Sequence, residues 1–323
     1  MSPVTATGAI PAERLEEYRH ELTGYCYRML GSIHEAEDAV QDTMLRAWRA
    51  LATFEDRAGL RPWLYRIATN VCIDMLKGRS RRALPMDVAP VATGELHRGN
   101  PRPEAAWLQP APDSLILPPA GDPAERVVSR ESVRLAFIAA LQHLTPWQRA
   151  VLILRDVLRW RAAEVAVLLE SSVDAVNSAL RRARTALAAV DRDSAPRPPS
   201  ADDRELLAAY IDAFERSDVD ALVGLLRDDA VLEMPPFELW MQGPDDIRRW
   251  LLAVDAFGQE LLTPVNANGS PAVAVYRPRA PGAPPTAFSV QVLDTVAGRI
   301  SAIHVFLDPA LFELFGLPVD PGS

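Results

Sequence analysis

Two basic clusters, one acidic face and one isolated histidine hold most of the chemistry this sequence can offer. KGRSRR (77 to 82) and RRAR (181 to 184) put Lys77, Arg79, Arg81, Arg82, Arg181, Arg182 and Arg184 where phosphates can be bound. Just before the second cluster, Asn177 and Ser178 add short side chains that reach base edges in a major groove. HEAEDAVQDTMLRAW (34 to 48) sets Asp38, Gln41 and Asp42 on one side of a helix, apart from the apolar stripe Ala36, Val40, Met44, Ala47 and Leu51. Carboxylates and an amide on one face suit a basic partner. His304 is the only histidine after residue 200. A proton-transfer site needs a positioned partner for it, and none is visible in the sequence, so no catalytic residue is assigned.

These side chains need elements to hold them. Residues 13 to 82 read as helices over Arg14 to Leu30, Ile33 to Ala52 and Arg61 to Arg79, with Pro62 suited to a first helical turn. From Leu84 to Pro123 periodicity gives way to a proline-rich linker, yet Trp107, Leu108, Leu115, Ile116 and Leu117 are too apolar to stand free in water. A second helical block runs to Val190. Within it, LTPWQRAVLILRDVLRWRAAEVAVLLESSVDAVNSALRRARTAL (144 to 187) reads as a helix-turn-helix, with Thr145 and Ser172 as caps. Ala166, Leu169, Val176 and Leu180 would close its core, leaving Asp174, Asn177, Ser178, Arg181 and Arg182 outward.

SAPRPPS (194 to 200) is a second break. Beyond it, helices in ELLAAYIDAFERS, VDALVGLL and DDIRRWLLAV precede alternating segments PAVAVYRPR, TAFSVQVLDTV and ISAIHVFLD, an α+β pattern of helices followed by antiparallel strands.

The formal charge of -9 on 323 residues weighs against nucleic acid only until it is located. Residues 200 to 323 hold 8 Arg and 19 Asp plus Glu, so the acidity belongs to the last third and the remainder carries a small positive excess. Cys26 and Cys72 lie far apart in sequence with no CxxC or Cys/His cluster, so no metal, disulfide framework or cofactor is expected. No apolar run is long enough to span a bilayer and no signal peptide is visible, which makes a cytoplasmic protein without membrane contact the expectation.

HEAEDAVQDTMLRAW with RPWLYRIATNVCIDMLKGRSRR resembles region two of the extracytoplasmic-function group of RNA polymerase sigma factors, and the helix-turn-helix block resembles region four. The resemblance implies that Asp38, Gln41 and Asp42 bind the clamp coiled coil of the largest subunit of core RNA polymerase. It implies that Asn70, Lys77, Arg79, Arg81 and Arg82 meet the melted -10 element of promoter DNA, with Trp63 either a stacking platform there or part of the core. Asn70 would read a flipped base there, with the loop Glu55 to Leu60 as rim. Unstacking a base costs a few kcal/mol, which pocket contacts must offset. Asn177, Ser178, Arg181, Arg182 and Arg184 would anchor the -35 element, about two helical turns upstream. Such a protein recognises promoters and opens strands without bond-making chemistry of its own.

Residues 204 to 318 resemble the SnoaL-like branch of the NTF2-like fold, carried by ELLAAYIDAFERSDVDALVGLLRDDAVLEMPP, WMQGPDDIRRWL and RISAIHVFLDPALFELFGLP. That implies a cone of curved sheet closing a pocket, with Trp240, His304 and Phe306 as candidate lining. Enzymes of this fold pair Asp with His or Asp, which makes His304, Glu233, Asp294 and Asp308 the residues to watch. The expected architecture is multidomain: region two over 10 to 83, a proline-rich linker over 84 to 123, region four over 124 to 191, a short linker over 192 to 202 and the cone over 203 to 320. The acidic cone, in contact with the sigma domains, would regulate them. A ligand-sensing helix-turn-helix regulator and a SnoaL-like isomerase or cyclase with a DNA-binding region are the alternatives. Where the family usually carries glycine, this chain has Arg159 and Glu170. A left-handed backbone at Glu170 would carry about 1–2 kcal/mol of strain.

Overall fold

Ser32 starts the helix that carries the acidic face. Its Oγ accepts the Glu35 amide at 3.3 Å and caps Ile33–Ala50, while Gly31, at φ 73°, ends the preceding helix Arg19–Leu30. Gly59, at φ 86°, turns the chain into Leu60–Leu76, with Pro62 in the first turn. Tyr25, Cys26, Met29, Ile33, Val40, Leu64, Tyr65 and Cys72 are fully or almost fully buried between these helices. Each fully buried large apolar side chain contributes roughly 1.5–3 kcal/mol. Distant in sequence, Cys26 and Cys72 meet in this core as free thiols, and burial pushes the Cys72 thiol well up.

The computed structural model describes residues 13–54, 59–93, 99–119, 123–190, 201–253, 260–280 and 282–321. Two compact units result: one from the chain up to Arg79 together with His143–Arg192, the other from Ser80–Gln142 together with the chain from Asp193 onward. The proline-rich segment therefore folds with the C-terminal domain.

In the first unit the region-four helices are Pro146–Leu152, Ala162–Leu168 and Val173–Val190, with a π-helical turn, Ile153–Val157, extending the first. Thr145 and Gln148 cap reciprocally through side chain and backbone, and Ser172 Oγ accepts the Ala175 amide at 3.1 Å. Ala166, Val176 and Leu180 are buried as expected, but Leu168 rather than Leu169 fills the space at the joint. Arg159 sits at φ 61° and Glu170 at φ 50°, so both glycine-type turns keep their left-handed geometry without glycine.

Helix Pro146–Leu152 packs on helices Arg19–Leu30 and Leu60–Leu76. Arg149, 3 % exposed, donates to the Met29 carbonyl and, at 3.3 Å, to that of Leu144. Burial brings its pKa down to about 10, so it stays charged at neutral pH. Trp160 stacks 5.1 Å from Tyr65 and the Arg61 guanidinium lies about as close to both rings, while Arg66 pairs with Glu170 at 3.0 Å.

The second unit contains one six-stranded sheet: β1 Leu226–Glu233, β2 Trp240–Gln242, β3 Leu261–Ala267, β4 Ser270–Pro278, β5 Pro285–Val296 and β6 Arg299–Phe306, in the order β2-β1-β6-β5-β4-β3. It is mixed rather than antiparallel throughout, because β1 runs parallel to β6. Helices Ala201–Glu215, Val219–Gly224 and Pro244–Ala253 cover one face, with Tyr210, Phe214, Leu222, Ile247 and Trp250 packed among Leu232, Val273, Leu293 and Ile303.

The proline-rich segment hydrogen-bonds to several of these strands as a strap. Trp240 Nε1 donates to the Ala89 carbonyl at 2.8 Å, Ala92 N to that of Trp240 at 2.9 Å and Arg102 N to that of Pro236 at 2.9 Å. Trp107, Leu108, Ile116 and Leu117 are buried, which meets the expectation that they dock, and Leu115 is half-buried.

Candidate polymerase and promoter interface

On helix Ile33–Ala50 the buried side is Ala36, Val40, Met44 and Ala47, as its periodicity predicts. Asp38 and Gln41 are exposed on the other side, and Asp42 is partly covered by its pair with Arg46 at 2.7 Å. Leu45 and Trp48 continue that exposed side and are 47 % and 62 % exposed. Sequence reasoning passed over these two, although the signal was present: two large apolar residues fall between the members of the buried stripe. The face is thus acidic at one end and apolar at the other.

Helix Leu60–Leu76 presents Asn70 to solvent, one turn after Arg66. Thr69 beside it is held inward by Tyr25, Oγ1 to Oη 2.8 Å, which keeps Asn70 on the outer face. Trp63 is half-buried and rests on Phe54 with ring centroids 4.6 Å apart, so part of its surface is already core. Residues 55 to 58 of the expected pocket rim lie outside the described residues. Lys77 and Arg79 are exposed and paired with Asp74 and Glu35, and Arg81 is exposed.

Arg82 corrects the expectation of a phosphate contact. It is 7 % exposed, and its guanidinium donates to the carbonyls of Glu104 at 3.1 Å and Trp107 at 2.6 Å. A cation six residues past the helix Leu60–Leu76 and beside an apolar strap is drawn to the strap's carbonyls rather than left in water.

Along helix Val173–Val190, Asn177, Arg181, Arg182 and Arg184 are exposed and Ser178 is half-buried, while Val176, Ala179, Leu180 and Ala183 face inward. Arg184 is bidentate to Asp156 at 2.6 and 2.9 Å, which holds its guanidinium above its ordinary pKa. Asn177, Arg181 and Arg182 lie on one outward surface of a helix whose first turn is capped, the arrangement a major-groove helix requires.

His304 meets two of the three carboxylates named with it, Glu233 and Asp294. Nδ1 lies 2.5 Å from Glu233 Oε1 and Nε2 lies 3.0 Å from Asp294 Oδ2, while Ser270 Oγ supports Asp294 Oδ1 at 3.2 Å. Burial by itself disfavours the charged ring, but the Glu233 charge and the ring's hydrogen bonds to both carboxylates outweigh it and raise His304 to about 10. Asp294 is correspondingly lowered despite its burial. The ring is therefore an imidazolium with both nitrogens engaged. Asp308 stands apart, its carboxylate accepting the Ala310 amide at 3.0 Å.

The cone holds a cavity of about 50 Å³ among Tyr210, Phe214, Trp250, Arg277, Gln291 and Val305. Trp240, His304 and Phe306, expected as its lining, are on the opposite face of the sheet. The registers Glu233↔Trp240, Glu233↔His304 and Val290↔Phe306 put all three on one face, and Leu232, Ile303, Val305 and Gln291 alternate to the other. Polar groups at the cavity are engaged: Tyr210 Oη donates to Gln291 Oε1 at 2.6 Å, and Arg277 pairs with Glu260 at 2.7 Å. Among the described residues no cluster of His, Cys, Asp and Glu is arranged to hold a metal, and no helix is long and apolar enough to cross a membrane.

Comparison with known proteins meets this geometry at each part. Family models match Sigma-70 region 2 over residues 15–82, Sigma-70, region 4 over residues 134–187 and a SnoaL-like domain over residues 207–303. The chain is 50 % identical over 314 residues to the ECF RNA polymerase sigma factor SigG of Mycobacterium tuberculosis (strain ATCC 25618 / H37Rv), covering 94 % of this chain and 82 % of that protein. It is 29 % identical over 315 residues to the ECF RNA polymerase sigma factor SigJ of the same organism, covering 92 % of this chain and 91 % of that one. The crystal structure of M. tuberculosis SigJ shares the fold at a TM-score of 0.63 and 23 % identity, over 96 % of this chain and 100 % of that one. The chain belongs to the extracytoplasmic-function RNA polymerase sigma factors and carries a SnoaL-like domain fused after region four.

Proposed function

We propose that this chain directs core RNA polymerase to promoters, in the cytoplasm, and makes no bonds itself. The helix face Asp38, Gln41, Asp42, Leu45 and Trp48 docks on the clamp coiled coil of the largest subunit, charge first and apolar contact behind it. Asn70 reads a flipped -10 base, with Trp63, Lys77, Arg79 and Arg81 around it. Asn177, Ser178, Arg181, Arg182 and Arg184 hold the -35 element. The observation that carries the reading is Trp48: it is 62 % exposed in line with Asp38 and Gln41, on the face a clamp-binding helix would use. Because region four packs on region two through Arg149 and Trp160, that packing must open before elements about two helical turns apart, roughly 70 Å of duplex, are held together.

The isomerase alternative is disfavoured by His304, whose two ring nitrogens face carboxylates on the side of the sheet away from the cavity. A cavity of about 50 Å³ also falls well short of the ~300 Å³ at which pockets for drug-sized ligands begin. The test is transcription in vitro with core polymerase on a promoter library, beside pull-down of core by wild type, Asp38→Lys and Trp48→Ala. Wild type should bind and initiate, and both variants should lose binding at least tenfold while remaining folded. Undiminished binding by both variants removes this face from the interface.

A further inference from the structure

Helix Val173–Val190 opens on a residue for which folding gives no reason. Val173 is 41 % exposed, the one large apolar side chain left in water on this helix among the described residues. Val176, Ala179, Leu180 and Ala183 already close the core beneath it. Valine gives the helix nothing locally either, since a β-branched residue ranks below alanine in propensity. Its neighbourhood narrows the choice of role. Asn177 lies about one turn beyond Val173 along the same edge and Arg181 about two, while Asp174 stands beside it. Other polar groups nearby are occupied within the chain: Ser172 Oγ accepts the Ala175 amide at 3.1 Å, Glu170 pairs with Arg66 at 3.0 Å, and Arg184 is bidentate to Asp156. Among the described residues, no such bond engages the side chains of Asp174, Asn177 or Arg181. The surface offered at the start of the helix is therefore a valine, a carboxylate and an amide, with arginines behind them.

In a major groove these side chains have different counterparts. An amide pairs with adenine N6 and N7, a guanidinium with guanine or phosphate, and an apolar side chain finds one apolar group on the base edges, the 5-methyl of thymine. We infer that Val173 is a base-reading residue, selecting a thymine in the -35 element by packing on its 5-methyl group. The inference rests on the sigma-factor reading above and deepens it. Four residues separate Val173 from Asn177, ~6 Å along the helix axis and less than two base steps of ~3.4 Å. The thymine therefore lies within about two base pairs of the position that Asn177 reads. A methyl contact neutralises no phosphate, so it adds discrimination without adding to the salt dependence that Arg181 and Arg182 supply.

Deoxyuridine differs from thymidine by that methyl alone, which makes the contact testable atom for atom. Full-length wild type with core polymerase first selects a promoter from a random library, and each thymine of its -35 element, on either strand, is then replaced singly by deoxyuridine. At one position the replacement should weaken the promoter complex roughly fourfold, the effect of burying one methyl group. Val173→Ser, which removes both valine methyls from an exposed site, should bind the thymidine and deoxyuridine forms of that position equally. Asn177→Ala should relax selection at a position within two base pairs of it. A selected element without thymine, no loss with any deoxyuridine, or a loss that Val173→Ser retains overturns the role of Val173 while promoter complexes still form. A relaxed position farther than two pairs away overturns the placement of Val173 beside Asn177 in the groove. If wild type forms no promoter complex with core polymerase, the sigma-factor reading falls and takes this inference with it.

Discussion

At the scale of single residues, the two non-glycine left-handed positions offer a direct test of strain. Arg159 and Glu170 hold φ values of 61° and 50° that cost an L-residue about 1–2 kcal/mol, part of which glycine returns as unfolded-state entropy. Arg159→Gly should stabilise the first unit by about 0.5–1 kcal/mol in denaturant unfolding. Glu170→Gly should gain less, because it also removes the exposed pair with Arg66, worth up to ~1 kcal/mol. A loss of stability in Arg159→Gly would show that the side chain makes contacts outweighing its strain. His304 gives a pH signature. Its folded value of about 10 lies above the ordinary 6.5, so the native state keeps a proton that the unfolded chain releases. The triad's contribution is complete below pH 6.5 and is lost as pH rises through about 10. Asp294 is lowered from 3.8, so its contribution is present above that value and lost as pH falls through the depressed one. Wild-type stability should decline across the alkaline window by up to ~1.4 kcal/mol per pH unit, and His304→Gln should flatten that slope. Equal slopes in urea titrations of the two proteins would remove His304 as the source.

At the scale of elements, the helices were the most legible part. Apolar spacing located Ile33–Ala50, and apolar spacing with Thr145 and Ser172 located the helix-turn-helix, to within a few residues, because caps and a 3.6-residue period are local. Short strands were not. β2 has three residues, and β3 carries Pro264, which an interior strand would reject but an edge strand accepts on its open side. The parallel pairing of β1 with β6 was also illegible, since nothing in either segment names its partner. The packing of helix Pro146–Leu152 on region two is an element-scale property with its own test. Arg149→Met leaves the Met29 and Leu144 carbonyls without this donor and should loosen the packing by roughly 1–3 kcal/mol. The expected readout is faster amide exchange across residues 146 to 157 with the Tyr25 and Tyr65 core unaffected. Exchange that stays at the wild-type rate would mean that Trp160 and its ring contacts hold the helices without it.

At the scale of the whole molecule, the uneven charge matters most. Of 43 acidic residues, 19 follow residue 200, against 8 of 34 basic ones. A chain ending at residue 199 therefore changes from net negative to slightly positive. It should bind non-specific duplex more tightly than the full chain at ~50 mM salt, with the difference fading by ~200 mM as counterion release weakens. Fluorescence anisotropy at the two salt concentrations would show it, and a difference that persisted at high salt would point to uncovered contacts rather than charge. What the sequence by itself determined is everything that local pattern carries: the helices, their caps, the helix-turn-helix, the acidic face and the family. What only the tertiary structure decided depends on partners distant along the chain. Arg82 goes to the Trp107 carbonyl, His304 lies between Glu233 and Asp294, Trp240 turns to the strap, and Asn268 closes on Ala111 and Val133. Each of these side chains carries a polar group, buried in Arg82, His304 and Asn268 and half-buried in Trp240, and such a group takes its role from whichever distant donor or acceptor the fold brings within 3 Å or so.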